Sequence, residues 1–206
     1  DGALAAADEV AAGERAAYAL CRPPGHHAGA GYFGGYCFLN NAALAAARLA
    51  RQGPVAVVDI DYHHGNGTQD IFYDSDRVFF ASLHADPDWE YPLYWGRADE
   101  TGTGPGAGCT LNVPLPPGTG DGEYLAALGR ALAAARAFGP SCLVVSAGFD
   151  GYGGDPLGQF RLTAAGYGRI GAALAGLGLP TVIIQEGGYH LDGLRTGVPA
   201  LLAAFR

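Results

Sequence analysis

The run Val55-Ala56-Val57-Val58-Asp59-Ile60-Asp61-Tyr62-His63-His64-Gly65-Asn66-Gly67 constrains this chain more than any other stretch. Its first half is short, apolar and β-branched, with no polar face. Such a run predicts a strand buried on both sides, which belongs in a mostly parallel sheet covered by helices. Alternate side chains of a strand share a face, so Asp59, Asp61 and His63 are expected to point one way as the strand runs out. Two carboxylates and an imidazole are costly to place at a strand end. Asp-x-His offers hard oxygen and borderline nitrogen, a donor set that suits Zn²⁺ or a similar divalent metal. The same residues could also end a strand in a solvated turn, so the choice between the two rests on the remaining sequence.

Taken in order, the chain alternates helix and strand patterns. Helices are predicted over residues 3–12, 39–51, 69–73, 122–138, 163–177 and 194–205, and strands over 18–21, from 55, and over 78–83, 109–113, 142–147 and 181–185. Residues 88–108 read as a long loop, longer than compact domains usually carry, and so functional or mobile. The alternation predicts a three-layer α/β fold in one domain over residues 1–206. In such sheets ligands sit outside the carboxyl ends of the strands. His26 and His27, the group Asp59, Asp61, His63 and His64, then His84 and Asp86, Asp150 and Tyr189 all follow predicted strands. Five of the six histidines are in that set. Any one of them could be a turn residue or a satisfied core histidine, but their joint placement on one rim favours a metal-hydrolase site.

Composition excludes some partners. The net charge is −8 and charged residues make up 16 % of the chain, which leaves no basic patch for nucleic acid. No apolar run approaches the ~18 residues of a membrane span, and no signal segment opens the chain. The four cysteines, Cys21, Cys37, Cys109 and Cys142, are scattered and fit reduced thiols in the cytoplasm. All 12 basic residues are Arg, and there is no Met, so Asp1 is not expected to be the native start.

Several stretches together carry a family resemblance. They are Arg22-Pro23-Pro24-Gly25-His26-His27-Ala28, residues 34–42, Asp59 to Gln69, Ser82-Leu83-His84, Gly148-Phe149-Asp150 and Glu186-Gly187-Gly188-Tyr189. With them the chain resembles the histone deacetylase superfamily and its arginase/deacetylase-like fold. Residues 79–87, Tyr91-Pro92 and Glu100-Thr101-Gly102-Thr103-Gly104 bring it nearest to the bacterial acetylpolyamine amidohydrolases. Members of that family carry roughly a hundred residues ahead of this start, so the resemblance implies a missing N-terminal part.

The resemblance implies a zinc-dependent deacetylase, with Fe²⁺ or another divalent metal as an alternative occupant. Asp61, His63 and Asp150 match the metal ligands, and His27 matches the general base. His26 would tune the site, oriented by Asp59, while Asn66 would orient His27. Tyr189 matches the hydroxyl that completes the oxyanion site. Gly35, Tyr36, Tyr91 and Leu157 match the substrate channel. Structural K⁺ or Na⁺ is implied near Asp59, Asp61, His63, Ser82 and Leu83, and a second ion near Phe72, Ser75 and Val78. A small acetylated amine is the implied partner, and a homodimer is allowed. His64 is expected to pack or bond behind the site. His190 stands where many relatives have Asn.

The glycines of residues 102–108 resemble a phosphate loop, but they do not fit GxGxxG and precede a strand, so they are expected to form a flexible loop. Other functions remain open. A protein acetyl-lysine deacetylase would use the same site. A dimanganese ureohydrolase needs more bridging carboxylates than this rim offers. A silent acyl-amine binding protein would be expected to have lost Tyr189 or a ligand. The loop acids Asp86, Asp88, Glu90, Asp99 and Glu100, with Trp89, Tyr91, Tyr94 and Trp95, favour a polyamine.

Overall fold

The computed structural model describes residues 2–206. Six strands, β1 (Ala16–Ala19), β2 (Val55–Asp59), β3 (Val78–Ala85), β4 (Thr110–Leu115), β5 (Cys142–Ala147) and β6 (Thr181–Gln185), form one sheet in the order β1-β6-β5-β2-β3-β4. All five pairings are parallel, so the sheet is wholly rather than mostly parallel. Helices α1 (Gly2–Ala11), α2 (Asn41–Leu49), α3 (Asn66–Phe72), α4 (Asp121–Phe138), α5 (Ala164–Ala175) and α6 (Leu191–Leu202) cover both faces.

Strand alternation divides the core into two apolar layers. Val55, Val57, Val144, Val182 and Ile184 face one cluster with Ala3, Ala7, Ala42, Ala46 and Leu49 of α1 and α2. Ala56, Val58, Leu143, Val145 and Ile183 face the other, with Leu128, Tyr167, Ile170 and Leu201 of α4, α5 and α6. Each buried Val, Leu or Ile among them contributes about 1.5–3 kcal/mol by leaving water. This double burial explains why β2, β5 and β6 carry no polar alternation.

Chain order fixes where a site can form. From β2 the chain winds outward to β3 and β4, then returns to lay β5 and β6 on the opposite side of β2. The winding reverses between β2 and β5, and a crevice opens outside the carboxyl ends of strands at such a point. Asp61 and His63 follow β2, and Asp150 follows β5.

Several element ends differ from the sequence reading. β1 lies two residues earlier than predicted, because its Ala16 and Ala17 pair with Thr181 and Val182 despite poor strand propensity. α3 begins at Asn66 rather than 69. α6 begins at Leu191 rather than 194, because His190 Nδ1 caps the N–H of Gly193 (3.2 Å). Residues 104–106 form a 3₁₀ turn. It is tied by Gly106 N–H to Thr103 O and Gly108 N–H to Thr101 O, so this segment contains a hydrogen-bonded turn.

Candidate metal centre

β2 ends at Asp59, and the chain beyond it is not extended. Asp59 Oδ1 accepts the N–H of Asp61 (3.0 Å), and Asp61 Oδ1 accepts the N–H of His63 (2.9 Å). These two side-chain-capped turns, and not the expected strand alternation, bring Asp59, Asp61 and His63 to one cluster. From the end of β5, Asp150 Oδ1 accepts the N–H of Tyr62 (2.9 Å) and Oδ2 faces His63 Nδ1 (3.0 Å). From the end of β6, Gly187 donates its N–H to Asp61 Oδ2 (2.9 Å). A Cβ at Gly187 would lie 2.6 Å from Asp150 Oδ2 and 2.7 Å from Asp61 Oδ2, so only glycine lets this loop cross the cluster.

Donor atoms of Asp61, His63 and Asp150 lie within 4.8 Å of one another. One imidazole nitrogen and two carboxylate oxygens fit a divalent metal of the zinc type, with coordination left for other ligands. The electrostatics agree with that fit. Burial and the charge of Asp61 push the Asp150 carboxyl above its ordinary range. A bound cation relieves that repulsion. Burial also acts on Asp61, but the imidazoles of His26 and His63 hold it well below the usual carboxylate range.

The two adjacent imidazoles are driven apart. Burial opposes a charge on His26, yet Asp61 and Asp59 together push it up to about 10. Its Nδ1 lies 2.9 Å from Asp59 Oδ2. For His27, burial and the charge of His26 act the same way and drive it well below its ordinary value. Its Nδ1 lies 2.7 Å from Asn66 Oδ1, so that nitrogen carries the proton and Nε2 is left as a base. Two histidines in contact, at 4.0 Å between ring centroids, are thus pushed in opposite directions.

Asp61, His63, Asp150, His26 and His27 line a cavity of about 540 Å³ together with Gly35, Tyr36, Glu90, Tyr91, Leu157 and Tyr189. Every residue expected in the channel therefore borders the same space. Tyr91 stands edge-on to His27 at 4.9 Å, and Tyr36 meets Tyr189 at 6.1 Å. A Cβ at Gly35 would collide with the His27 ring, which makes that position glycine-only. Tyr36 holds a left-handed backbone (φ 68°), the kind of local strain that clusters at functional sites. Burial and the charges of Asp61 and Asp150 raise the Tyr189 phenol, which therefore keeps its proton to donate.

Sequence reasoning missed three residues. Glu186 is buried, and its Oε2 accepts the N–H of Gly25 (2.7 Å) and of His26 (3.2 Å), while Oε1 accepts from the Ser146 hydroxyl (2.8 Å). Its position straight after an apolar strand was a signal, the same one that marks Asp59. Asp155 accepts the N–H groups of Tyr189 (2.8 Å) and His190 (2.9 Å) at Oδ2 and of Leu157 (3.0 Å) at Oδ1, which ties the Tyr189 turn to the channel mouth. Only long-range structure shows that. Glu90 borders the cavity, whereas the sequence placed it only in a loop. His190 is also accounted for: it caps α6 and stacks on Tyr152, doing by Nδ1 what an Asn cap does by oxygen.

Four of the rim residues, Asp59, His64, His84 and Asp86, do not line the cavity. His64 Nε2 meets Gln69 and Asn112, as expected of a residue behind the site. His84, expected on the rim with Asp86, instead bridges Ser82 and the Gly96 carbonyl beneath the 86–100 loop. Burial lowers both imidazoles, His84 to about 4, so both are neutral packing groups. Of the residues expected around monovalent cations, Ser82 and Asp59 are register partners across β2 and β3. Leu83 is buried beside them. Phe72 and Ser75 are joined by a backbone bond (3.0 Å) at the end of α3, close in sequence to Val78 at the start of β3.

A wholly parallel sheet with a carboxylate–imidazole–carboxylate triad at its winding reversal has the arginase/deacetylase-like fold. Within that class the chain belongs to the histone deacetylase domain family, which it matches over residues 1–205. It is 53 % identical to acetylpolyamine amidohydrolase 1 of Pseudomonas aeruginosa, over 93 % of this chain and 56 % of that protein. It is 48 % identical to the acetylpolyamine amidohydrolase of Mycoplana ramosa, over 97 % of this chain and 59 % of that protein. The crystal structure of acetylpolyamine aminohydrolase from Burkholderia pseudomallei superposes with a TM-score of 0.96 at 48 % identity, over 99 % of this chain and 60 % of that one. The chain thus spans 56 to 60 % of the length of these relatives.

Proposed function

We propose that residues 1–206 form one catalytic domain of a zinc-dependent amidohydrolase that removes the acetyl group from N-acetylated amines, with acetylpolyamines as the substrate class. The observation that carries this reading is the shared cavity. It brings a three-donor metal site, a neutral buried imidazole and a protonated phenol to one space at the strand ends. Zn²⁺ held by Asp61, His63 and Asp150 would supply Lewis acidity toward the amide carbonyl and a lowered pKa for water.

The protein's own groups do the rest. His27 Nε2, free because Asn66 occupies Nδ1, takes the proton of the attacking water and returns it to the leaving amine. Tyr189 donates its hydroxyl to the oxygen on which charge develops. His26 stays protonated beside Asp59 and keeps His27 neutral. Gly35, Tyr36, Tyr91 and Leu157 hold the acyl-amine chain between aromatic and apolar surfaces. K⁺ or Na⁺ near Asp59, Asp61, His63, Ser82 and Leu83, and near Phe72, Ser75 and Val78, would brace the strand ends.

The acidic, aromatic 86–100 loop and the net charge of −8 support a small cationic amine over nucleic acid as partner. No described helix is long and apolar enough to cross a membrane. Scattered free cysteines support a cytoplasmic location, and a homodimer is compatible with the reading. Side-by-side hydrolysis of acetylputrescine, acetylspermidine and an acetyl-lysine peptide by the zinc-loaded protein tests it. The polyamines should be turned over faster. Faster turnover of the peptide contradicts the substrate class, and hydrolysis of none contradicts the reading as a whole.

A further inference from the structure

The five acids of the 86–100 loop have different uses. Asp86 Oδ1 caps the N–H of Asp88 (2.9 Å), and Asp88 pairs with Arg97. Glu100 accepts the N–H groups of Gly96 and Arg97 (both 3.1 Å) and the Gln69 amide, and so staples the loop to itself. Asp99 is exposed and does not border the cavity. Glu90 does border it. Among the described residues it is the one cavity-lining carboxylate outside the metal triad. No Arg lines that cavity, and the chain has no Lys.

The Glu90 carboxylate is held at both oxygens. Oε2 accepts from the Tyr62 hydroxyl (2.9 Å), and Oε1 accepts the N–H of Tyr91 (3.0 Å). Tyr62 is fully buried, and its ring stands edge-on to His63 at 4.9 Å. Tyr62 therefore links Glu90 to the ligand His63 from behind, and Glu90 and His63 border the same cavity. Burial and Glu90 raise the Tyr62 phenol, which keeps it a donor and fixes the carboxylate in place. A carboxylate fixed before binding loses little freedom when a partner arrives. Tyr36, Tyr91, Leu157 and Tyr189 offer aromatic faces and apolar surface, and the one cationic wall group outside the metal triad, His26, is already paired with Asp59.

We propose that Glu90 is a specificity residue that receives a second, protonated amine of the substrate, an ammonium a few methylenes from the scissile amide. The preferred substrates are then acetylated diamines and polyamines rather than acetylated monoamines. This inference rests on the amidohydrolase reading and adds the group that selects within it. An ammonium meets the carboxylate through a charge-assisted hydrogen bond, whereas an alkyl tail of equal length leaves that carboxylate partly desolvated and unpaired.

Acetylputrescine and N-pentylacetamide match in length and differ in the terminal ammonium, so the ratio of their kcat/KM values isolates the effect. Taking the ratio within each protein cancels any loss of folded enzyme. The zinc-loaded parent should prefer acetylputrescine by about tenfold or more, the scale of one hydrogen bond to a charged group, and Glu90→Gln should bring the ratio close to one. An unchanged ratio in Glu90→Gln overturns the role of Glu90, as does a parent that hydrolyses both amides equally; either result leaves the amidohydrolase reading standing. If the parent hydrolyses neither amide, that reading falls and this inference falls with it.

Discussion

On the proposed reading, Tyr189 sits where one atom decides the chemistry. Its N–H is held by Asp155, the backbone before it turns through Gly188 (φ 129°), and its phenol stays protonated beside two carboxylates. Tyr189→Phe removes the donor and keeps the shape. Expected is a fall in kcat of roughly two orders of magnitude or more, the scale of losing one oxyanion donor, with KM nearly unchanged. A kcat within a few-fold of the parent contradicts the oxyanion role. At this scale the sequence was informative where chemistry-bearing residues stand together in motifs, as His26, His27, Asp61 and His63 do. It was silent on Asp155, because a carboxylate that caps N–H groups 34 and 35 positions away leaves no local pattern. It named the five loop acids together, and only long-range structure shows that Glu90 alone of them borders the cavity.

Elements carry these residues through a few buried links, and Glu186 is the clearest of them. At the end of β6 it joins the Ser146 hydroxyl of β5 to the N–H groups of the loop that bears His26 and His27. Burial raises its carboxyl to about 7, with Asp59 adding to the rise and His26 opposing it. The folded state therefore binds a proton between pH ~4.5 and ~7 that the unfolded chain has released, so stability falls as pH rises through that window. Glu186→Gln keeps an acceptor for Gly25 and His26 and turns the Ser146 bond round, its amide donating to the hydroxyl that had donated, but it removes the titration. In the metal-free protein the stability of this variant relative to the parent should improve by up to roughly 3 kcal/mol from pH 4 to pH 8, read by denaturant unfolding. A difference that stays flat across that range contradicts it.

Element boundaries show why sequence reading works unevenly. β5 and β6 were read to the residue, since each is a β-branched or apolar run enclosed by Pro or Gly. β1 slipped, because pairing with β6 and not the propensity of Ala16 and Ala17 makes it a strand. The start of α6 slipped because a histidine is an unusual cap. The alignment of Asp59, Asp61 and His63 was anticipated for the wrong reason: the strand stops at Asp59, and capped turns do what alternation was expected to do.

For the whole molecule, alternating elements predicted a parallel sheet with a site on its carboxyl rim; the sheet is parallel, and residues that follow β2, β5 and β6 line one cavity. The strand order could not be read, because it depends on pairings between strands far apart in the chain. That order puts the winding reversal between β2 and β5, where Asp61, His63 and Asp150 meet. The central claim is that this meeting point is the metal centre of an amide hydrolase. Titrating metal-free protein with Zn²⁺ while following acetate release from acetylputrescine tests it most directly. Activity should rise from the baseline and break near one equivalent, and Asp150→Ala should stay at the baseline for want of a third donor. Turnover by the metal-free protein, or an Asp150→Ala titration that follows the parent's, would contradict it.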